Sequence, residues 1–275
     1  MRVHHLNCGS MREIDPADGR DGPLPRARVV CHCLLAETAS HGLVLVETGL
    51  GTNDVRRPAD TLGKDWVTLA EPVLDLGETA LHQLRRLGHA PRDVQHIVVT
   101  HLDRDHAGGL ADFPQATVHV LQAEYEAALA GTADRYRAAQ LAHRPRWATY
   151  ASQQGEPWFG FDAVHDLNGL PADILLVPLG GHSHGHSAVA VNTGERWLLH
   201  AGDAYFYHRE VDPQTPRSHP LLDFVQLGAE VNRPLRLGNQ ARLREVARLH
   251  GAEVEIFSAH DPWEFQRYGR AATAP

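Results

Sequence analysis

Residues 97–110 read IVVTHLDRDHAGGL: a β-branched apolar run stops at Thr100 and gives way to His101, Asp103, Asp105 and His106. Short branched runs of this kind read as buried strands, so four side chains able to bind a metal stand where a strand ends. Imidazole nitrogen and carboxylate oxygen are common ligands of zinc, manganese and iron. The arrangement recurs downstream. ILLVPLGGHSHGH ends in His182, His184 and His186, WLLHAGD in His200 and Asp203, and VEIFSAHD in His260 and Asp261. Strands of one sheet finish side by side, so ligands at their carboxyl ends can be aimed at a common point, and rigid supports hold them there.

Further apolar runs at 29–36, 43–46, 118–121, 188–191 and 197–199 have the length and branching of strands. Leu81, Leu84 and Leu87, and again Leu243, Val246 and Leu249, recur every three residues, as on the buried stripe of an amphipathic helix. A mixed sheet architecture with helices outside is expected. Two stretches lack strong periodicity. Residues 131–168 carry Tyr136, Trp147, Tyr150, Trp158, Phe159 and Phe161, and residues 207–238 carry prolines at 213, 216, 220 and 234. Long irregular connections tend to be lids or binding loops, so the aromatic insertion either offers an apolar substrate surface or merely packs as a surface insertion.

The 275 residues are 43% hydrophobic and 22% charged, as in globular proteins, and one domain over 1–275 is expected. No apolar run approaches the roughly 18–20 residues of a membrane span, and MRVHHLNCGS lacks the basic-then-apolar order of a signal peptide, so a cytoplasmic protein is expected. A net charge of −8 argues against nucleic acid as a partner, because phosphate binding draws on surplus Lys and Arg. Cys8, Cys31 and Cys33 are too few and clustered for a disulfide framework. Cys31 and Cys33 are expected on one face of a strand, as core thiols. The 20 histidines are the anomaly in this composition.

In order and spacing these clusters resemble the metallo-β-lactamase superfamily, over residues 43–260. Its motifs run His-x-His-x-Asp-His, a later Gly-His-Thr-Pro-Gly-His, an Asp after a strand, and a final His. The resemblance implies an αββα four-layer sandwich, two mixed β-sheets with helices on the outside. It implies two divalent metals, most simply Zn2+ with Mn2+ or Fe2+ as alternatives: site one at His101, Asp103 and His182, site two at Asp105, His106 and His260, with Asp203 bridging. His186 would support the site rather than bind metal, and His184 replaces the family's proline without an assigned role. Two departures stand out. Glu47, in VLVETGLG, replaces the Asp of the usual Asp-Thr-Gly, and Asp103 replaces the second histidine of the first motif. A third aspartate makes the ion pair less positive and its water less acidic, so a higher pH optimum or a looser first metal is expected.

The resemblance implies a hydrolase acting on a small molecule through a metal-bound hydroxide, with Asp105 also placed to orient the nucleophile or pass a proton. No Gly-x-Ser-x-Gly elbow, phosphate-cradling glycine loop or dinucleotide fingerprint competes. LNCGSM and HAGGL are similar to stretches of the N-acyl homoserine lactone lactonases, implying a lactone or related ester as substrate. Those enzymes hold the substrate carbonyl with a tyrosine three residues after the bridging Asp, where this chain has Phe206. The flanking Tyr205 and Tyr207 are the candidates for that role. Alternatives within the family are a glyoxalase II-like thioester hydrolase and a mononuclear iron persulfide dioxygenase-like protein. No membrane partner is expected, and a homodimer is left open.

Overall fold

The computed structural model describes residues 1–17, 24–131, 135–151 and 153–271. The strands of the first half are β1 (Arg2–Asn7), β2 (Glu13–Ile14), β3 (Ala27–Arg28), β4 (His32–Glu37), β5 (Leu43–Val46), β6 (Val94–Val98) and β7 (Thr117–Leu121). The second half supplies β8 (Arg146–Tyr150), β9 (Glu156–Trp158), β10 (Phe161–Asp166), β11 (Ile174–Pro178), β12 (Ser187–Asn192), β13 (Trp197–His200) and β14 (Val254–Phe257). One six-stranded sheet runs β1-β4-β5-β6-β7-β8, a second runs β14-β13-β12-β11-β10-β9, and β2 pairs with β3 as a small ribbon. Both large sheets are mixed: β5 to β8 are parallel neighbours, as are β13 and β14, while the other pairings are antiparallel.

Period-two alternation assigns the layers. In β5, Val44 and Val46 face β11, β12 and β14 through Ile174, Leu176, Val189, Val191 and Phe257, forming the core between the sheets. Leu43 and Leu45 point the other way, toward Leu81 and Leu84 of the helix Ala80–Arg86. Likewise Ala188 and Ala190 of β12 turn outward onto Leu243 and Val246 of the helix Arg233–His250. A strand covered on both faces must be apolar at every position, which is why these runs do not alternate in sequence. The result is the expected αββα sandwich of two mixed sheets with helices outside.

Of the two readings of 131–168, the described residues favour packing over a lid. The stretch supplies β8 as the edge strand of the first sheet, β9 as the edge strand of the second, and β10 between β9 and β11. Trp158, Phe159 and Phe161 pack on the outer core of the second sheet, Tyr150 enters the core between sheets, and Tyr136 and Trp147 lie against the outer core of the first. At the sheet edges β8 and β9 each meet one neighbour only, so their sequence carries a weaker pattern than a central strand. In 207–238 two helices form instead of an irregular loop, Pro220–Ala229 and the start of Arg233–His250, and both place a proline in the first turn, where its missing N–H costs nothing. The expected common face for Cys31 and Cys33 also fails. Cys31 precedes β4 and packs with Met11 and Trp263, whereas Cys33 lies within the strand, in the core with Leu35 and Ile97.

Candidate metal centre

Four strands deliver the site. His101, Asp103, Asp105 and His106 follow β6, His182 and His186 follow β11, Asp203 follows β13 and His260 follows β14, all at strand carboxyl ends. The seven expected ligands converge around Asp203, whose two carboxylate oxygens face different partners. Its Oδ2 lies 3.3 Å from His182 Nε2 and 3.6 Å from His101 Nε2. Its Oδ1 lies 3.3 Å from His106 Nε2 and 3.2 Å from His260 Nε2. Asp103 Oδ2 closes the first group, 3.3 Å from His101 Nε2 and 3.2 Å from His182 Nε2. Asp105 Oδ2 reaches the second through His260 Nε2, 3.6 Å away.

These spacings suit cations. An ion about 2.0–2.1 Å from tetrahedral nitrogen and oxygen ligands sets them about 3.3–3.4 Å apart. Among the described residues, His101 Nε2 and Asp203 Oδ1 are fully buried with no hydrogen-bond partner, and His106 Nε2 faces His260 Nε2 at 3.2 Å. Buried polar atoms are ordinarily paired, and orphans aimed at one point mark the place of a missing partner. The electrostatics agree. Burial alone would lower the His106 pKa, but the Asp203 and Glu47 carboxylates push it well above the ordinary histidine value, and His260 is raised by Asp203 and Asp105 in the same way. Burial likewise opposes ionisation of Asp203, yet the surrounding histidines hold its carboxyl well below the usual range. The cluster draws positive charge.

Each imidazole is aimed by a partner on its other nitrogen, the arrangement that fixes tautomer and ring orientation in metal sites. His106 Nδ1 donates to Glu47 Oε2 at 3.0 Å, and His260 Nδ1 to the Val30 carbonyl at 2.7 Å. His101 Nδ1 pairs with the Thr100 hydroxyl at 2.8 Å, and His182 Nδ1 with Gln226 Oε1 at 3.2 Å. Glu47, the longer substitute for the family's aspartate, also accepts from the Thr100 N–H at 2.5 Å and sits at a left-handed φ of 65°. His186 donates from Nδ1 to the Leu179 carbonyl and accepts the Asp203 N–H on Nε2 at 2.9 Å, so it holds the bridging residue by its backbone. Glu124 ties the loop after β6 to the loop after β11: it accepts from the Leu102 N–H, the Ser183 hydroxyl and the Gly185 N–H. His184 is exposed, and His200 turns away to the His32 carbonyl at 2.6 Å.

The site is the floor of a cleft of about 150 Å3 whose upper walls are apolar: Met11, Ile14, Trp66, Phe206, Leu222 and Val225. The apolar surface expected from 131–168 is built here by other segments. The Phe206 ring covers the ligands, its centroid 5.3 Å from that of His260 and 5.9 Å from that of His182. Neither flanking tyrosine lines the cleft. Tyr205 is fully buried with its hydroxyl donating to the Glu264 carboxylate at 3.1 Å, and Tyr207, also fully buried, packs against His219 and Trp263. Phe206, and neither tyrosine, lines the cleft, and the Tyr205 hydroxyl is engaged by Glu264.

Two neighbours were not foreseen. The Cys31 thiol lies within 4.8 Å of ligand atoms of Asp105 and His260, rather than being a simple core thiol. Arg135 grips Asp103 with both arms, Nε to Oδ1 at 2.5 Å and Nη2 to Oδ2 at 3.0 Å. The carboxylate that stands in place of a histidine is therefore paired with a guanidinium. A histidine after β6 announces itself in sequence as part of a motif, whereas Arg135 is one arginine of many, 32 residues from its partner. The only signal was Asp103 itself, one carboxylate more than the resemblance called for.

Residues 26–249 match the model of the metallo-beta-lactamase superfamily. A probable metallo-hydrolase of Mycobacterium tuberculosis is 40% identical over 270 residues, covering 97% of this chain and 82% of the relative. An N-acyl homoserine lactonase of Bacillus thuringiensis is 26% identical over 230 residues, 83% of this chain and 80% of that one. Among solved structures, an N-acyl homoserine lactone hydrolase with its product N-hexanoyl-L-homoserine at the catalytic metal centre superimposes with a TM-score of 0.70 at 21% identity, over 96% of this chain and 95% of that one. A dizinc quorum-quenching lactonase gives 0.56 at 15% identity, over 94% and 92%. Fold, ligand geometry and matched residues together make this chain a member of the metallo-β-lactamase superfamily.

Proposed function

We propose that this chain is a dinuclear metal-dependent hydrolase that opens a lactone or cleaves a related ester. The observation that carries this reading is Asp203, whose two oxygens each face a separate pair of histidines at the floor of an apolar cleft. Divalent ions held there, by His101, Asp103, His182 and Asp203 on one side and by Asp105, His106, His260 and Asp203 on the other, would supply Lewis-acid polarisation of an acyl oxygen and lower the pKa of water. Zinc suits the mixed set of two histidines and two aspartates on each side, and the aspartates also admit manganese or iron.

The rest falls to the protein's own groups. Asp105 stands at the cleft floor with its carboxylate beside His260, placed to take a proton from the attacking water and return it to the leaving alkoxide. Met11, Trp66, Leu222 and Val225 would bury an apolar acyl chain and keep bulk water away. Phe206 contributes shape and exclusion of water but no hydroxyl, so the substrate carbonyl is not held by a side chain at 206. The lactonase relatives and the dizinc lactonase that shares the fold support the substrate class, which remains one of small molecules rather than nucleic acid.

The test is to load the protein with metal, measure bound metal by elemental analysis, and assay lactones, thioesters and phosphodiesters in parallel. Turnover of acyl lactones with two redox-inert ions is expected. Thioester turnover alone would make the chain glyoxalase II-like, and a single iron with oxygen consumption would make it a dioxygenase.

A further inference from the structure

We propose that Arg135 is a built-in cation of the first donor group, which a divalent ion must displace from His182, so that the chain loads its metals in a fixed order. The group of His106, His260, Asp203 and Asp105 fills first; the group of His101, Asp103 and His182 fills second. The inference rests on the two-ion reading above and adds to it an order of filling and its cause.

Among the described residues Arg135 makes four hydrogen-bonding contacts. Besides the two to Asp103, Nη1 donates to the Ala229 carbonyl at 2.8 Å and Nη2 lies 2.9 Å from His182 Nε2. A guanidinium only donates, so His182 must accept on Nε2. The other side of the ring agrees. Gln226 donates its amide nitrogen to the Asp203 carbonyl at 2.8 Å, which turns Gln226 Oε1 toward His182 Nδ1 and fixes the ring proton there. Nε2 has one lone pair, the pair a metal needs. The hydrogen bond from Arg135 and coordination by His182 are therefore mutually exclusive.

Position adds to this. Asp103 Oδ2 and His182 Nε2 are 3.2 Å apart, and Nη2 sits 3.0 and 2.9 Å from them. An ion about 2.0–2.1 Å from both atoms lies within about 4 Å of Nη2 wherever it sits around that axis. Like charges so close in a buried site repel strongly. Among the described residues no guanidinium reaches the rings of the second group: His106 and His260 are held from behind by Glu47 and the Val30 carbonyl, both acceptors, which strengthen the imidazole as a ligand. Asp103 explains the pairing. A histidine at this position would give Arg135 nothing to grip, whereas an aspartate offers one negative charge that either cation can use. Once an ion is seated, Nε can stay on Asp103 Oδ1 while Nη2 swings off His182.

The experiment is titration of metal-free protein with Zn2+ against a chelating indicator, for the wild type and for Arg135→Met, with the Arg135 Nε–H followed by NMR. The wild type should bind one ion tightly and a second at least tenfold more weakly. Arg135→Met should tighten the second ion by tenfold or more and leave the first unchanged, which also shows that the variant is folded. In the wild type the Nε–H resonance should move on the second equivalent and not on the first. Asp103→His, which removes the grip by other means, should also tighten the second ion. Two ions with affinities unaltered by Arg135→Met, or an Nε–H that moves with the first equivalent, would overturn the proposal and leave the two-ion reading intact. No more than one ion in any variant would overturn both.

Discussion

Replacing Glu47 by Gln changes one atom of a buried carboxylate and should cost the second donor group its metal. Glu47 serves two donors at once, the Thr100 N–H on Oε1 and the His106 Nδ1–H on Oε2. A glutamine has one acceptor oxygen. With that oxygen on Thr100, its amide group faces His106 Nδ1, and two donors cannot share the contact. The ring proton must then move to Nε2, the atom facing Asp203 Oδ1 at 3.3 Å, where a metal would need a lone pair. Loss of such an outer partner typically weakens metal affinity about 10–100-fold, or about 1.4–2.7 kcal/mol. The alternative, oxygen on His106, leaves the Thr100 N–H buried and unpaired, at about 1–3 kcal/mol of fold stability. Chelator competition on the zinc-loaded protein, with thermal melting of the metal-free form, separates the two outcomes. An unchanged affinity together with an unchanged melting temperature would refute the reasoning.

Glu124→Ala leaves three donors from two site loops without their acceptor, and should lower stability by several kcal/mol in chemical denaturation while weakening metal binding. Gly202 has a φ of 54°, and a Cβ there would lie 2.7 Å from His186 Nε2, so Gly202→Ala should break the His186–Asp203 contact and lower kcat at least tenfold. Tyr205→Phe should leave kcat within about twofold while costing about 1 kcal/mol for the lost bond to Glu264, read by paired kinetics and melting curves. Burial and then Asp261 raise the Glu264 carboxyl from 4.5 to about 8. Neutral Glu264 is favoured in the folded state, so its contribution is whole below pH 4.5 and is lost as pH rises toward 8, at no more than about 1.4 kcal/mol per pH unit. Glu264→Gln should therefore gain stability relative to the wild type across that window and not below it, in denaturation series at stepped pH.

The ligands were legible because metal chemistry restricts residue type and strand ends restrict place, so His101, His182, Asp203 and His260 each stood after an apolar run. The central strands were legible for a similar reason: burial on both faces leaves a mark such as LVLV at 43–46 that few other structures leave. The edge strands β8 and β9 bear no comparable constraint, and together with β10 they read as an irregular aromatic insertion although Tyr150 and Phe161 are core residues. Tyr205 and Tyr207 misled because sequence spacing fixes the distance along the chain and not which side chain turns into the cleft. Phe206 turned inward, and both neighbours were carried into the protein. Arg135 could not have been singled out, since an ion pair across 32 residues depends on the tertiary path between them.

The most direct measurement of the central claim is an anomalous difference map at the zinc absorption edge from crystals grown with excess zinc. Two peaks are expected, one about 2 Å from each oxygen of Asp203, with His101 and His182 around the first and His106 and His260 around the second. Density at neither oxygen, or zinc bound only at sites remote from Asp203, would contradict the account.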